Sequence, residues 1–237
     1  MNEEKFSGRA KLYAQSRPSY AQGAADLIRS AVPRGGIVAD IGAGTGIFTR
    51  QLLAAGYRVY AVEPNADMRG MLSGCGAQVV CASAEATGLP DKSVQLVTAA
   101  QAFHWFDKEK FRTECRRILS DGGKVLLLWN SEDGTSPLKK ELNELSRRFS
   151  SDFAIRPEFH EAISGFFSEY DEYAFPNELA LDREQFIANR LSRSHAPKQG
   201  EESCEPFCAA LSELFDRYQN DGKIIVPNVT KCYFGTV

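Results

Sequence analysis

Ile37-Val38-Ala39-Asp40-Ile41-Gly42-Ala43-Gly44-Thr45-Gly46 is an apolar run that meets an acid and then three glycines at alternate positions. The run reads as a buried strand. Glycine has no Cβ, so Gly42, Gly44 and Gly46 suit a tight turn on which a flat ligand lies against bare main chain. Phe48, Leu52 and Ala55 then recur at helical spacing, and Gly56 stands where a helix stops. The free amides at that helix start favour negative charge nearby. A strand, glycine turn and helix in this order form a seat for a cofactor that carries a nucleoside.

Outward from this turn the chain alternates strand-like and helix-like segments, which predicts an α/β fold with a parallel sheet. Residues 57–62 read as strand two, ending at Glu63, 23 residues after Asp40. Asn65 caps a short helix through Leu72; 78–81 and 94–100 read as strands three and four. Asp107 starts a helix whose face is Phe111, Cys115, Ile118 and Leu119, and Gly122-Gly123 turns the chain into strand five, 124–129. Upstream, Ser19 and Gln22 have capping-box spacing after Pro18, before a helix carrying Leu27, Ile28 and Ala31.

Beyond residue 130, Leu138, Leu142, Leu145 and Phe149 define one helix, and Phe207, Leu211, Leu214 and Tyr218 another. Asp182 with Gln185 caps a third. The segment 166–175 holds strand six, and 223–237 contains two short strand-like pieces around Pro227. The expectation is a single domain over 1–237: an N-terminal lid and helix (1–34), a cofactor-binding core (35–130), and helical insertions with closing strands on the acceptor side (131–237).

Composition narrows the class. Of 237 residues, 28 are Lys or Arg and 31 are Asp or Glu, a net charge of −3 that gives no electrostatic case for a nucleic-acid substrate. No apolar stretch approaches a membrane span, and the polar, acidic start is wrong for a secretory signal, so a cytoplasmic protein is expected. The six cysteines are then expected as free thiols. Cys204 and Cys208 lie one helical turn apart without the His or second Cys pair of a metal site, and read as buried thiols; no metal is expected.

The glycine spacing discriminates between cofactors. The dinucleotide fingerprint is G-x-G-x-x-G; here the pattern is G-x-G-x-G, and Ile47 stands at the sixth position. An Asp two residues before the first glycine is also foreign to it. Residues 40–46 instead match in full the first motif of class I S-adenosylmethionine (SAM)-dependent methyltransferases, D/E-x-G-x-G-x-G, and the chain resembles that family over roughly residues 35–130. The resemblance implies a Rossmann-like, doubly wound, mostly parallel sheet whose last strand is antiparallel. It implies SAM as cofactor, seated on Asp40, Gly42, Ala43, Gly44, Thr45 and Gly46.

Glu63, followed by Pro64, is the acid that accepts both ribose hydroxyls, a carboxylate match that serves NAD as well as SAM. Ser83, Ala84 and Glu85 after strand three stand at the family's adenine edge, with Ser83 where many relatives carry Asp. Leu89-Pro90-Asp91 resembles a Leu-Pro-Phe/Tyr-Asp loop without its aromatic. Gln101 and Phe103 after strand four are placed near the reactive methyl, where aromatic faces attract a sulfonium; Phe103, His104 and Trp105 also suit an acceptor pocket. Tyr13-Ala-Gln-Ser-Arg17-Pro18-Ser-Tyr20 resembles the lead-in of ubiquinone/trans-aconitate-type methyltransferases, which gives Tyr13 and Arg17 to the methionine carboxylate.

The implied reaction is direct displacement of the methyl onto a small-molecule acceptor. If a general base is needed, His104 is the candidate, ahead of His195; His160 has no context. The competing readings are a SAM-binding sensor or non-catalytic partner subunit, and an NAD-dependent oxidoreductase.

Overall fold

The computed structural model describes residues 18–132, 134–150, 160–193 and 196–237. In chain order its elements are α1 (Gln22–Ala31), β1 (Ile37–Ile41), α2 (Ile47–Ala54), β2 (Arg58–Val62), α3 (Ala66–Leu72), β3 (Gln78–Val80) and β4 (Val94–Ala100). A 3-10 turn (Phe103–Trp105), α4 (Lys108–Ile118), β5 (Leu119–Glu132), α5 (Pro137–Phe149), α6 (His160–Phe166) and β6 (Glu169–Pro176) follow. The chain closes with β7 (Leu179–Leu181), α7 (Arg183–Leu191), α8 (Cys204–Tyr218), β8 (Ile224–Val226) and β9 (Asn228–Thr236).

Seven strands form one sheet in the order β3-β2-β1-β4-β5-β9-β6. The first five run parallel, and β9, last in the chain, inserts antiparallel between β5 and β6. Alternate side chains on each strand go to opposite faces. Val38, Val59, Leu96, Leu126 and Leu128 pack with Ile28, Phe48 and Leu52 on the face covered by α1 and α2. Ala39, Val97, Val125 and Leu127 pack with Phe111, Cys115, Ile118, Ile163 and Phe166 on the face covered by α4 and α6. Burial on both faces is why these strands read as continuous apolar runs. A third cluster joins α5, α7 and α8 to the β7–β8 pair through Leu138, Phe186, Leu211 and Ile224.

Several boundaries differ from the sequence reading. The α1 helix starts at Gln22 with Ala21 as its cap and no side-chain cap bond, so Ser19 and Gln22 form no capping box. Tertiary contacts replace it: the Ala21 amide donates to Thr230 Oγ1 at 3.0 Å. The β5 strand extends well beyond residues 124–129 at both ends, and β9 is a nine-residue strand rather than a short piece. Phe166 ends α6 instead of opening strand six. Cys204 and Cys208 are half-buried, not buried, and Cys115 and Cys232 are the buried thiols. The caps at Asn65, Asp107 and Asp182 form, the last as a full capping box with Gln185.

Candidate active site

The parallel strands present their C-terminal ends to one edge, and β9 starts there, since Asn228 pairs with Glu132. A cavity of about 270 Å³ opens along this edge. That is close to the small end of known ligand sites.

The glycine turn forms its centre. Gly42, Gly44 and Gly46 all have positive φ (66°, 57° and 84°), where only glycine is unstrained. The amides of Gly42 and Ala43 donate to Val62 O at 2.9 and 3.1 Å, which ties the turn to β2. A Cβ on Gly42 would stand 2.7 Å from Ala102 Cβ, and one on Gly46 2.4 Å from Leu72 Cδ2. Those two glycines admit close packing by the protein itself. A Cβ on Gly44 would find no atom nearer than Met68 Sδ at 3.7 Å, so Gly44 offers bare backbone to open space in the cavity wall. Thr45 Oγ1, buried beside it, has no hydrogen-bond partner among the described residues.

Glu63, next along the wall, is 6% exposed. Its Oε2 accepts from the Gly44 amide at 2.8 Å and its Oε1 from the Asn65 amide at 2.9 Å. A carboxylate has about four acceptor directions, and these two bonds fix its plane. Pro64, Ser83, Ala84 and Glu85 continue the wall past β2 and β3. Glu85 Oε1 accepts from the Asp107 amide at 2.9 Å, which anchors that side chain to the start of α4. Beyond it, Arg117 donates to Leu89 O and Asp91 at 2.7 and 2.6 Å, so the Leu89–Asp91 loop is pinned to α4 and lies off the cavity wall.

After β4, Gln101 lines the cavity and takes a positive φ of 58°, a sparsely populated conformation for a non-glycine residue. Its Nε2 donates to Asn130 O at 3.0 Å. Phe103 points inward: it is fully buried, with its ring 4.9 Å from that of Phe166, and is off the wall. His104 is off the wall as well, its ring tilted at 45° against that of Trp105 with centroids 4.6 Å apart, and Trp105 lines the cavity with Phe106. Tyr13, Arg17 and His195 lie outside the described residues, as does the side chain of His160.

Asp40 also leaves the wall. It is fully buried and accepts from Thr49 Oγ1 at 2.6 Å and Thr98 Oγ1 at 2.9 Å, bracing the turn against α2 and β4. Burial pushes its carboxyl up to about 6; the two hydroxyls pull the other way and the Glu63 charge adds to the rise. The unfolded value is 3.8, so Asp40 contributes stability in full below about pH 3.8 and loses it as pH rises through about 6. A shift of that size corresponds to about 3 kcal/mol. Asp40→Asn is expected to remove this decline, with urea unfolding at pH 4 and pH 7 as the check.

Sequence reasoning did not single out Asn130 or the wall residues that follow β5. Asn130 Nδ2 donates to Ser19 O at 3.1 Å, and its Oδ1 accepts from Asn177 Nδ2 at 3.0 Å and Thr230 Oγ1 at 2.6 Å. This network clamps the segment carrying Pro18 and Tyr20, both on the cavity wall. Leu179, Asn189, Arg193 and Asn228 also line the cavity. Leu179 and Asn228 open β7 and β9, Asn189 lies within α7 and Arg193 just after it, and no local motif marks them.

A family model described as a methyltransferase domain matches residues 39–127. An uncharacterized methyltransferase of Mycobacterium tuberculosis is 30% identical over 98% of this chain and 95% of its own length. An uncharacterized methyltransferase-like protein of Schizosaccharomyces pombe is 31% identical over 90% of this chain and 87% of its own. Among solved structures, a protein of Anaeromyxobacter dehalogenans, proposed to be a type II methyltransferase, aligns with a TM-score of 0.68 at 23% identity over 93% of this chain and 97% of that one. Phosphoethanolamine N-methyltransferase 2 of Haemonchus contortus, solved with S-adenosylhomocysteine, aligns with a TM-score of 0.56 at 16% identity, over 99% of this chain and 58% of that one. The near full-length relatives, the matched domain and the mostly parallel seven-stranded sheet agree: the chain belongs to the class I methyltransferase family.

Proposed function

We propose that the protein transfers a methyl group from SAM to a small organic acceptor by direct displacement. The observation that carries this reading is the bond between the Glu63 carboxylate and the Gly44 amide. It sets two positions of the family pattern, 19 residues apart, on one cavity wall, the acid oriented and the backbone bare. The adenosyl ligand in the Haemonchus contortus structure supports the same donor.

When bound, SAM supplies a methyl group already activated by its sulfonium. In this reading Glu63 holds the ribose hydroxyls, Gly44 lets the ligand lie on the turn, and Ser83 with the Ala84 amide meets the adenine edge. Thr45 Oγ1 supplies a further polar contact at the turn, and Tyr13 and Arg17 serve the methionine carboxylate. Gln101, held by Asn130, sets the wall where acceptor and donor meet. Alignment of two reactants is then a large part of the catalysis. A base is required only for an acceptor that arrives protonated, and since His104 is off the cavity wall we assign it no such role. Residues 1–237 act as one domain, with 131–237 forming the acceptor side. No helix among the described residues is long and apolar enough to cross a membrane, and we place the protein in the cytoplasm.

Calorimetric titration with S-adenosylhomocysteine and with NAD tests the donor. Binding of the adenosyl ligand alone is expected, and binding of NAD alone would sink the reading. Glu63→Gln replaces a charged acceptor by a neutral one and is expected to weaken S-adenosylhomocysteine about tenfold to a hundredfold. Incubation with labelled SAM and a metabolite mixture then separates an enzyme from a SAM sensor, because a sensor binds and never turns over.

A further inference from the structure

The cavity is polar in a directional way. Among the described residues, Glu63 and Glu85 are the carboxylates on its wall, at the β2 and β3 end. Among the described residues the one cation on that wall is Arg193, at the opposite end. Its position follows from Glu132, the last residue of β5, whose side chain is 4% exposed. Glu132 bonds Arg193 through its guanidinium, Arg190 Nη1 at 2.8 Å and Lys139 Nζ at 2.9 Å. The carboxylate thus fixes the Arg193 guanidinium at the rim, and Asn189, one helical turn earlier on α7, lines the cavity beside it.

The order of strands locates this group relative to the donor. Along the edge stand the Ser83–Glu85 turn after β3, Glu63 after β2, the glycine turn after β1, and Gln101 after β4. Neighbouring strands are about 4.8 Å apart, so β5 lies one step beyond Gln101 and roughly 14 Å from β2. The donor's nucleoside accounts for the β3-to-β1 side. The Glu132–Arg193 pair stands past the reacting position, on the side left for the acceptor.

We propose that the acceptor carries an anionic oxygen group, a carboxylate or a phosphate, and that Arg193 is the residue that holds it, with Glu132 as the positioning residue. A guanidinium presents paired N–H donors that match either oxyanion. This inference rests on the methyl-transfer reading above and goes beyond it by naming a substrate class.

The test uses full-length protein saturated with S-adenosylhomocysteine and titrated with benzoate, hexanoate and phenyl phosphate, and with benzamide, hexanamide and phenol as their neutral counterparts. At least one anion should bind about tenfold more tightly than its counterpart, the expected worth of a charged hydrogen bond. The arm that shows the preference tells carboxylate from phosphate. Arg193→Gln should erase the preference. Arg193→Lys, which keeps a charge beside Glu132 and guards against unfolding, should retain part of it. Both variants should bind S-adenosylhomocysteine within about twofold of the parent protein. Equal binding of anions and neutral counterparts, or no binding of any anion, overturns the proposal. A large loss of S-adenosylhomocysteine affinity in Arg193→Gln also overturns it, because the guanidinium would then serve the donor's own carboxylate. Failure of the parent protein to bind S-adenosylhomocysteine is a separate result: it defeats the donor reading and this inference with it.

Discussion

Gly42→Ala is expected to lose about 2–5 kcal/mol of stability, while Gly44→Ala folds and fails to bind S-adenosylhomocysteine. Both residues have positive φ, so either alanine carries a backbone cost of about 1–2 kcal/mol. Their surroundings then separate them. The new Cβ at position 42 meets Ala102 Cβ at 2.7 Å and Phe106 Cζ at 3.1 Å. The Ala102 atom is fixed directly to buried backbone and has no rotamer to escape into, and overpacking of this kind costs about 1–3 kcal/mol more. The total of about 2–5 kcal/mol is a large share of a typical stability of 5–15 kcal/mol. At position 44 the nearest atom is the flexible Met68 Sδ at 3.7 Å, an ordinary contact. The added methyl instead takes up cavity space against which the ligand would lie. Urea unfolding and calorimetry with S-adenosylhomocysteine measure the two effects. Equal stability of the variants would refute the packing argument, and normal ligand affinity in Gly44→Ala would remove the turn from the binding site.

The contrast between these glycines shows where the sequence was readable. Strand ends, helix caps and the glycine turn depend on residues within a few positions of one another, and their periodicity and spacing carry that information. Side-chain direction after a strand end does not. The pattern marks 101–106 as a segment on the ligand edge, and it is; but Phe103 points into the aromatic core, and Trp105 and Phe106 line the wall. The sequence marks Asp40 as a site residue because it precedes the glycines, whereas two threonine hydroxyls 9 and 58 residues away claim its carboxylate for bracing. Ser19 makes no cap because the helix starts at Gln22 with Ala21 as its cap, and the Ser19 carbonyl instead accepts from Asn130 and Asn177, more than 100 residues downstream. Arg193 and Glu132 are 61 residues apart, and no local pattern links them.

Replacing Glu132 by Gln is expected to cost about 3–5 kcal/mol, the range for breaking a buried ion pair from one side. The Arg190 side chain is 6% exposed and Glu132 4%, so the cation left behind stays out of water. The penalty is therefore the stranded charge more than the lost attraction, and this can be separated experimentally. Glu132→Gln combined with Arg190→Met should recover part of the loss, whereas independent contributions would add. The pH profile gives a second check. Burial opposes ionisation of Glu132, but Arg193, Arg190 and Lys139 outweigh it and hold the carboxyl well below its ordinary value of 4.5. A depressed carboxyl contributes stability above its unfolded value, here about 4.5, and loses it as pH falls through the folded one. Glu132 thus acts below about pH 4.5, and Asp40, with its raised carboxyl, acts between about pH 4 and 6 in the opposite sense. Glu132→Gln should flatten the acid limb of the stability profile and leave the decline from pH 4 to 6 in place; Asp40→Asn should do the reverse. If Glu132→Gln leaves the acid limb intact, the three cations do not depend on this carboxylate, and the positioning of Arg193 at the cavity rim has another source.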